Sequence, residues 1–155
     1  MAVKPAPDDE YTWLTQVQST TPGYKMAKVI TFGTFDLFHV GHLRILERAR
    51  TLGDSLCVGV SSDELNMSKK GKLPVCQLED RLAIVKALRC VDEVFVEHDL
   101  ALKGQYIQEQ AADIMVMGED WKGRFDDMNE YCKVVYLERT PSISTTALLE
   151  VIRRP

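Results

Sequence analysis

Lys28 Val29 Ile30 Thr31 Phe32 Gly33 Thr34 Phe35 Asp36 Leu37 Phe38 His39 Val40 Gly41 His42 is the stretch that decides the fold. A β-rich apolar run stops at Gly33, and a helical pattern begins near Val40 and continues through Leu43, Leu46, Glu47 and Ala49. Two imidazoles therefore stand in the first turn of a helix just past a strand end. Such a position collects anions, because free backbone N–H groups and the positive end of the helix dipole point at it.

Outward from this stretch the same alternation recurs. Strand patterns at 28–33, 55–60, 92–96, 113–117 and 132–137 alternate with helical patterns at 40–52, 78–89, 103–111, near 125–131 and at 144–153. Val94 Phe95 Val96, Ile114 Met115 Val116 Met117 and Val134 Val135 Tyr136 Leu137 are continuous apolar runs, as strands covered on both faces require. The expected fold is α/β, a Rossmann-like doubly wound five-stranded parallel sheet with helices on both faces. Ligands of such sheets bind beyond the carboxyl ends of the strands, which selects the loops 33–42, 61–77, 97–102, 118–124 and 138–144.

The 155 residues, 45% hydrophobic, suffice for one domain with a core and are too few for two ordinary ones. Residues 1–25 hold three prolines, an acidic triplet and Ser19 Thr20 Thr21 Pro22 Gly23, and read as a flexible extension to a domain spanning 26–155. No run approaches the roughly 20 apolar residues of a membrane span, and the first ten residues lack the apolar centre of a signal peptide. Cys57, Cys76, Cys90 and Cys132 are scattered, without a Cys-x-x-Cys pair, and read as reduced thiols of a cytoplasmic protein. A net charge of −4 offers no global attraction to nucleic acid or to an acidic membrane, so an anionic substrate needs a local cluster of positive groups.

The first loop lacks both the dinucleotide-binding and the P-loop glycine patterns. Its H-x-G-H places His39 and His42 on one helical face, with Gly41 leaving the backbone open to a close ligand. Together with Thr34 the pair reads as a phosphate site; the plainer reading is one histidine capping a turn and the other packing. A zinc site is disfavoured, since the pair lacks the glutamate of H-E-x-x-H and no third ligand is suitably spaced. In the second loop Lys69, Lys70 and Lys72 surround Gly71 and read either as a solvated charge run or as a mobile lid over a polyphosphate. Arg81 and Arg89 follow on the next helix, and at least one is expected to reach the same anion unless both form surface ion pairs. Asp120 and Trp121 stand after the fourth strand, where a carboxylate accepts from an exocyclic amine and an indole offers an aromatic face. Arg139 Thr140 Pro141 Ser142 Ile143 Ser144 Thr145 Thr146 opens the last helix. It reads as a second phosphate cradle, with Ser144 a good N-cap in any case.

G-T-F-D-x-x-H-x-G-H at 33–42 and R-T-x-x-I-S-T-T at 139–146 resemble the motifs of the small bacterial cytidylyltransferases, a branch of the H-x-G-H nucleotidylyltransferase superfamily. The resemblance extends over about 27–152. It implies transfer of CMP from CTP to a phosphorylated alcohol, most of all glycerol 3-phosphate, with release of pyrophosphate, Mg²⁺ carried by the CTP phosphates, no protein metal ligand, and a homodimer. By the same resemblance His39, His42, Lys69 and Arg139 are catalytic, while Thr34, Phe35, Gly41, Asp120, Trp121, Thr140, Ser144 and Thr145 bind CTP. Lys72, Arg81 and Arg89 remain undivided between CTP and acceptor. This chain departs from the family pattern at Pro141 and Ser142, where glutamate and glycine are usual, and by about one extra residue between Asn66 and Arg81. Other acceptors, an adenylyltransferase such as one making FAD, and a nucleotide-binding regulatory module are the alternative readings.

Overall fold

A computed structural model describes residues 25–141 and 143–154. The extension expected at 1–25 lies outside the described residues except for Lys25, which pairs with Asp113. Five strands, β1 (Lys28–Gly33), β2 (Ser55–Ser61), β3 (Glu93–Glu97), β4 (Ile114–Gly118) and β5 (Lys133–Leu137), form one parallel sheet in the order β3-β2-β1-β4-β5. The order reverses between β1 and β4, so the crevice for a ligand opens above that pair, as the alternating pattern implied.

The two faces follow from side-chain alternation along the strands. Val29 joins Leu46, Ala49, Leu56, Val58, Val60, Val85 and Val116 under the helices α1 (Val40–Arg50) and α3 (Leu78–Lys86). Its neighbour Ile30 joins Phe32, Tyr106, Ile107, Met115, Met117 and Phe125 on the other face, under α4 (Lys103–Glu109) and a 3-10 turn at Asp126–Glu130. Each fully buried side chain of this kind contributes about 1.5–3 kcal/mol of apolar burial. All four cysteines are free, and burial raises the Cys57 thiol to about 11.

Two elements differ from the sequence expectation. The segment 61–77 is not one long loop but contains α2 (Asp63–Lys70), whose N-cap Ser62 accepts from the Leu65 N–H. Asp63 and Glu64 stand in its first turn, Lys69 and Lys70 in its last, and Gly71 closes it at φ 66°, which is the residue order the helix dipole and a left-handed cap favour. The helix expected to reach residue 89 stops at Lys86, because the chain must turn back at 87–92, where the Asp92 N–H donates to the Leu56 carbonyl, to enter β3.

Candidate active site

The residues that end four strands, Gly33, Ser61, Glu97 and Gly118, form the floor of a cavity of about 730 Å³. Five cationic side chains, Lys69, Lys70, Lys72, Lys103 and Arg153, face it against three carboxylates, Asp36, Glu97 and Asp120. A chain of net charge −4 thus concentrates positive charge at one place.

At its edge the two histidines, of which His42 lines the cavity, cap α1 reciprocally. His39 Nδ1 accepts from the Gly41 N–H at 3.0 Å, and His42 Nδ1 accepts from the His39 N–H at 3.4 Å. An imidazole nitrogen that accepts carries no proton, so both rings hold theirs on Nε2 and keep it as a donor for a ligand. The rings stack with centroids 3.9 Å apart, and Phe35 and Phe38 flank His42 at 5.6 and 5.4 Å. Burial, then the neighbouring His39, lowers His42 to about 4, and burial lowers His39 as well. Both are neutral donors at pH 7. The capping and ligand readings of these histidines are therefore compatible. What changes is the source of the donors: the Gly41 N–H is taken by its own histidine, and the helix end presents imidazole N–H groups in its place.

Gly41 is required by crowding as much as by a ligand, since a Cβ there would meet the His39 ring at 2.8 Å and Ile143 Cγ2 at 3.0 Å. That contact brings the second motif against the first. Thr145 Oγ1 donates to the Asp36 carbonyl at 3.1 Å and lies 3.5 Å from His39 Nε2, and Ser144 caps α5 (Thr145–Arg153) by accepting from the Ala147 N–H. Phe35 and Leu37 hold φ of 54° and 46°, strained values for residues with side chains. They bracket Asp36, whose carboxylate accepts from the Val75 and Cys76 N–H groups at 2.8 and 2.9 Å. The end of the second loop is thereby tied to the first.

Of the residues expected from sequence, Thr34, Phe35, His42, Lys69, Lys72, Asp120, Trp121 and Thr145 line the cavity, and His39, Gly41 and Ser144 border it. Arg139 lies 3.4 Å from Asp120, both largely exposed, across the β4 and β5 ends. Arg139 and Thr140 both line a second recess with Arg44, Arg48 and Glu138, outside the cavity lining. The two other arginines also lie outside the cavity lining. Arg81 is 1% exposed and spends its guanidinium on the Cys76, Thr34 and Ser61 carbonyls and on Asp63 Oδ1, so it ties three loops together and is not free for an anion. Arg89 is exposed in the turn between α3 and β3, at the amino end of that strand, and is not among the residues that line this cavity.

Four residues were not singled out from sequence. Asp36 is the clamp just described. Asn66, 1% exposed, accepts from Thr34 Oγ1 at 2.7 Å and donates to the Ser62 carbonyl at 2.8 Å. Glu97 and Lys103, each 1% exposed, form an ion pair at the end of β3, with the Lys103 ammonium 3.7 Å from the Phe32 ring centre. A glutamate closing an apolar strand run was the one available hint of the pair. Among the described residues no group of three or more His, Cys, Asp or Glu side chains is placed to hold a metal ion. The cavity presents donors to an anion, and the Asp36 carboxylate is occupied by backbone N–H groups. No described helix is long and apolar enough to cross a membrane.

A family model described as cytidylyltransferase-like matches residues 30–151. The chain is 49% identical over 127 residues to the glycerol-3-phosphate cytidylyltransferase of Bacillus subtilis (strain 168), covering 82% of this chain and 98% of the relative. It is 42% identical over 123 residues to the enzyme of the same name from Staphylococcus aureus (strain NCTC 8325 / PS 47), covering 79% and 92%. Among solved structures, the lipopolysaccharide core biosynthesis protein from Thermoplasma volcanium GSS1 matches with a TM-score of 0.66 and 29% identity, over 75% of this chain and 99% of that one.

Proposed function

This chain belongs to the cytidylyltransferase-like family, and on that premise we propose that it transfers CMP from CTP to glycerol 3-phosphate, giving CDP-glycerol and pyrophosphate. The observation that carries the chemistry is the pair of stacked, mutually capped histidines, which hold two Nε2–H donors at the strand-end cavity beside Thr145.

The acceptor phosphate is already a nucleophile at pH 7, so the reaction needs no serine, cysteine or general base. One oxygen of that phosphate bonds to the α-phosphorus, the bond from the α-phosphorus to the bridging oxygen of the β-phosphate breaks, and pyrophosphate leaves with those electrons. The protein's task is to align the reactants and to neutralise charge on the leaving group. In this reading His39 and His42 donate to the triphosphate, Thr145 and Ser144 flank it from the α5 end, and Thr34 and Phe35 border it from the first loop. Lys72 and Arg139 add charge at the rim, and Asp120 with Trp121 meets the cytosine. Lys69 and Lys103 share one carboxylate, Glu97, and so leave excess positive charge at the other end of the cavity, where the acceptor phosphate would lie. Mg²⁺ enters as the counter-ion of CTP. A homodimeric, cytoplasmic enzyme supplying CDP-glycerol for a cell-surface polymer or capsule fits this activity.

The test is to incubate the protein with Mg²⁺, each of the four nucleoside triphosphates and a panel of acceptor phosphates while following pyrophosphate. Release is expected with CTP and glycerol 3-phosphate. Release with ATP and none with CTP would overturn the cytidylyl assignment, and preference for phosphoethanolamine or another polyol phosphate would reassign the acceptor.

A further inference from the structure

The acceptor end of the cavity is built on a buried chain of polar groups. Glu97 and Lys103 are each 1% exposed and joined through Oε1, while Glu97 Oε2 accepts from Ser61 Oγ at 2.8 Å. Lys69 Nζ in turn donates to that hydroxyl at 3.2 Å. On its other side the Lys103 ammonium lies over the Phe32 ring at 3.7 Å and the Phe125 ring at 5.0 Å. One carboxylate thus fixes two ammonium groups, one directly and one through a hydroxyl, across two strand ends, β2 and β3, and two helices, α2 and α4. Among the described residues no other carboxylate supplies a counter-charge to both, because Asp63 is engaged by Arg81 and Asp36 by backbone N–H groups.

We propose that Glu97 is a positioning residue for the acceptor: it holds Lys69 and Lys103 at fixed spacing and in their charged form, and so sets affinity for the acceptor phosphate without touching CTP. The inference rests on the reading of this end of the cavity as the acceptor subsite. A buried carboxylate kept beside two lysines opposes the desolvation that would otherwise discharge them. Burial lowers both lysines, and Glu97 acts against that lowering at each of them. The other charges facing Lys69 are Lys70, Lys103 and Arg81, all cationic, which press in the same direction as burial.

Glu97→Gln is the direct variant, measured in the steady state against the acceptor that the wild-type protein uses, with CTP binding measured separately in the absence of acceptor. The acceptor KM should rise by about tenfold or more, as expected for truncating one partner of a buried charge pair, while CTP affinity stays within about twofold. In the variant the acceptor KM should climb with rising pH as the unsupported lysines lose their protons more readily, a steeper slope than the wild-type protein shows. Glu97→Asp keeps the charge and should remove that slope. If Glu97→Gln does not fold, the pair Glu97→Gln with Lys103→Met removes the ammonium left orphaned at Lys103 and should show the raised acceptor KM with a slope that Lys69 alone retains. An unchanged acceptor KM, or equal losses for CTP and acceptor at every pH, overturns the inference while leaving the activity assignment standing. Absence of turnover by the wild-type protein with every acceptor overturns both.

Discussion

A histidine that caps a helix through Nδ1 must carry its proton on Nε2, so helix capping and ligand donation are linked in the same ring at His39 and at His42. Substitutions can separate the two roles. His39→Asn retains a side-chain oxygen for the cap and should melt like the wild type, yet lower kcat by a factor on the order of 10² through loss of a transition-state donor. His39→Ala should show the same kinetic loss and an added destabilisation of about 1 kcal/mol from the missing cap. Either variant turning over at a near-normal rate would make that imidazole a purely structural group. The lowered His42 also has a signed consequence for stability. Because its folded value, about 4, lies below the ordinary 6.5, the unfolded chain binds the proton more readily between these values. Stability is then fully present above about pH 6.5 and declines as pH falls toward 4, by on the order of 1–2 kcal/mol after discounting for partial exposure. Thermal melts of the ligand-free protein across this window check it, and His42→Asn should flatten the trend.

Among the elements, α2 and the loops around it decide whether the lysines face the cavity. The helix was legible in Ser62 Asp63 Glu64 at one end and Lys69 Lys70 Gly71 at the other, but its sparse apolar positions, Leu65 and Met67, do not make a helical stripe. Local capping chemistry therefore specifies it where periodicity does not. Ser62→Ala should cost about 1 kcal/mol. Gly71→Ala should cost a similar amount, about 1 kcal/mol, from strain at φ 66°, with open space around it and hence no added clash. Denaturant titrations measure both. Arg81 governs the same region from beneath, since its guanidinium accounts for three carbonyls on three loops and for Asp63. Arg81→Met should destabilise by roughly 3 kcal/mol or more, as loss of a buried, fully bonded charge does, and should raise KM for both substrates together. A selective loss toward one substrate, with stability intact, would instead make Arg81 a ligand contact. Its burial was invisible in the sequence because a helical arginine beside Asp80 and Glu79 looks like a solvated one.

At the scale of the molecule the active cavity is assembled from both ends of the chain. The site described is built from residues 32–153, and the family match covers residues 30–151. A variant lacking residues 1–24 should therefore keep kcat and both KM values within about twofold; a larger loss would assign that segment to the site. The sequence alone determined the five parallel strands, the loops at their carboxyl ends and an anion site at the H-x-G-H helix start; the reaction type came from the resemblance of its motifs to a family. Those features follow from alternating side-chain direction, helix periodicity and local capping chemistry, each encoded within a few neighbouring residues. It could not determine that Arg81 lies under the floor, that Thr145 meets Asp36 across 109 residues, or that Glu97 joins Ser61 and Lys103. Those contacts depend on strand order and on which side chains the packed layers exclude from water, and only the tertiary structure sets both.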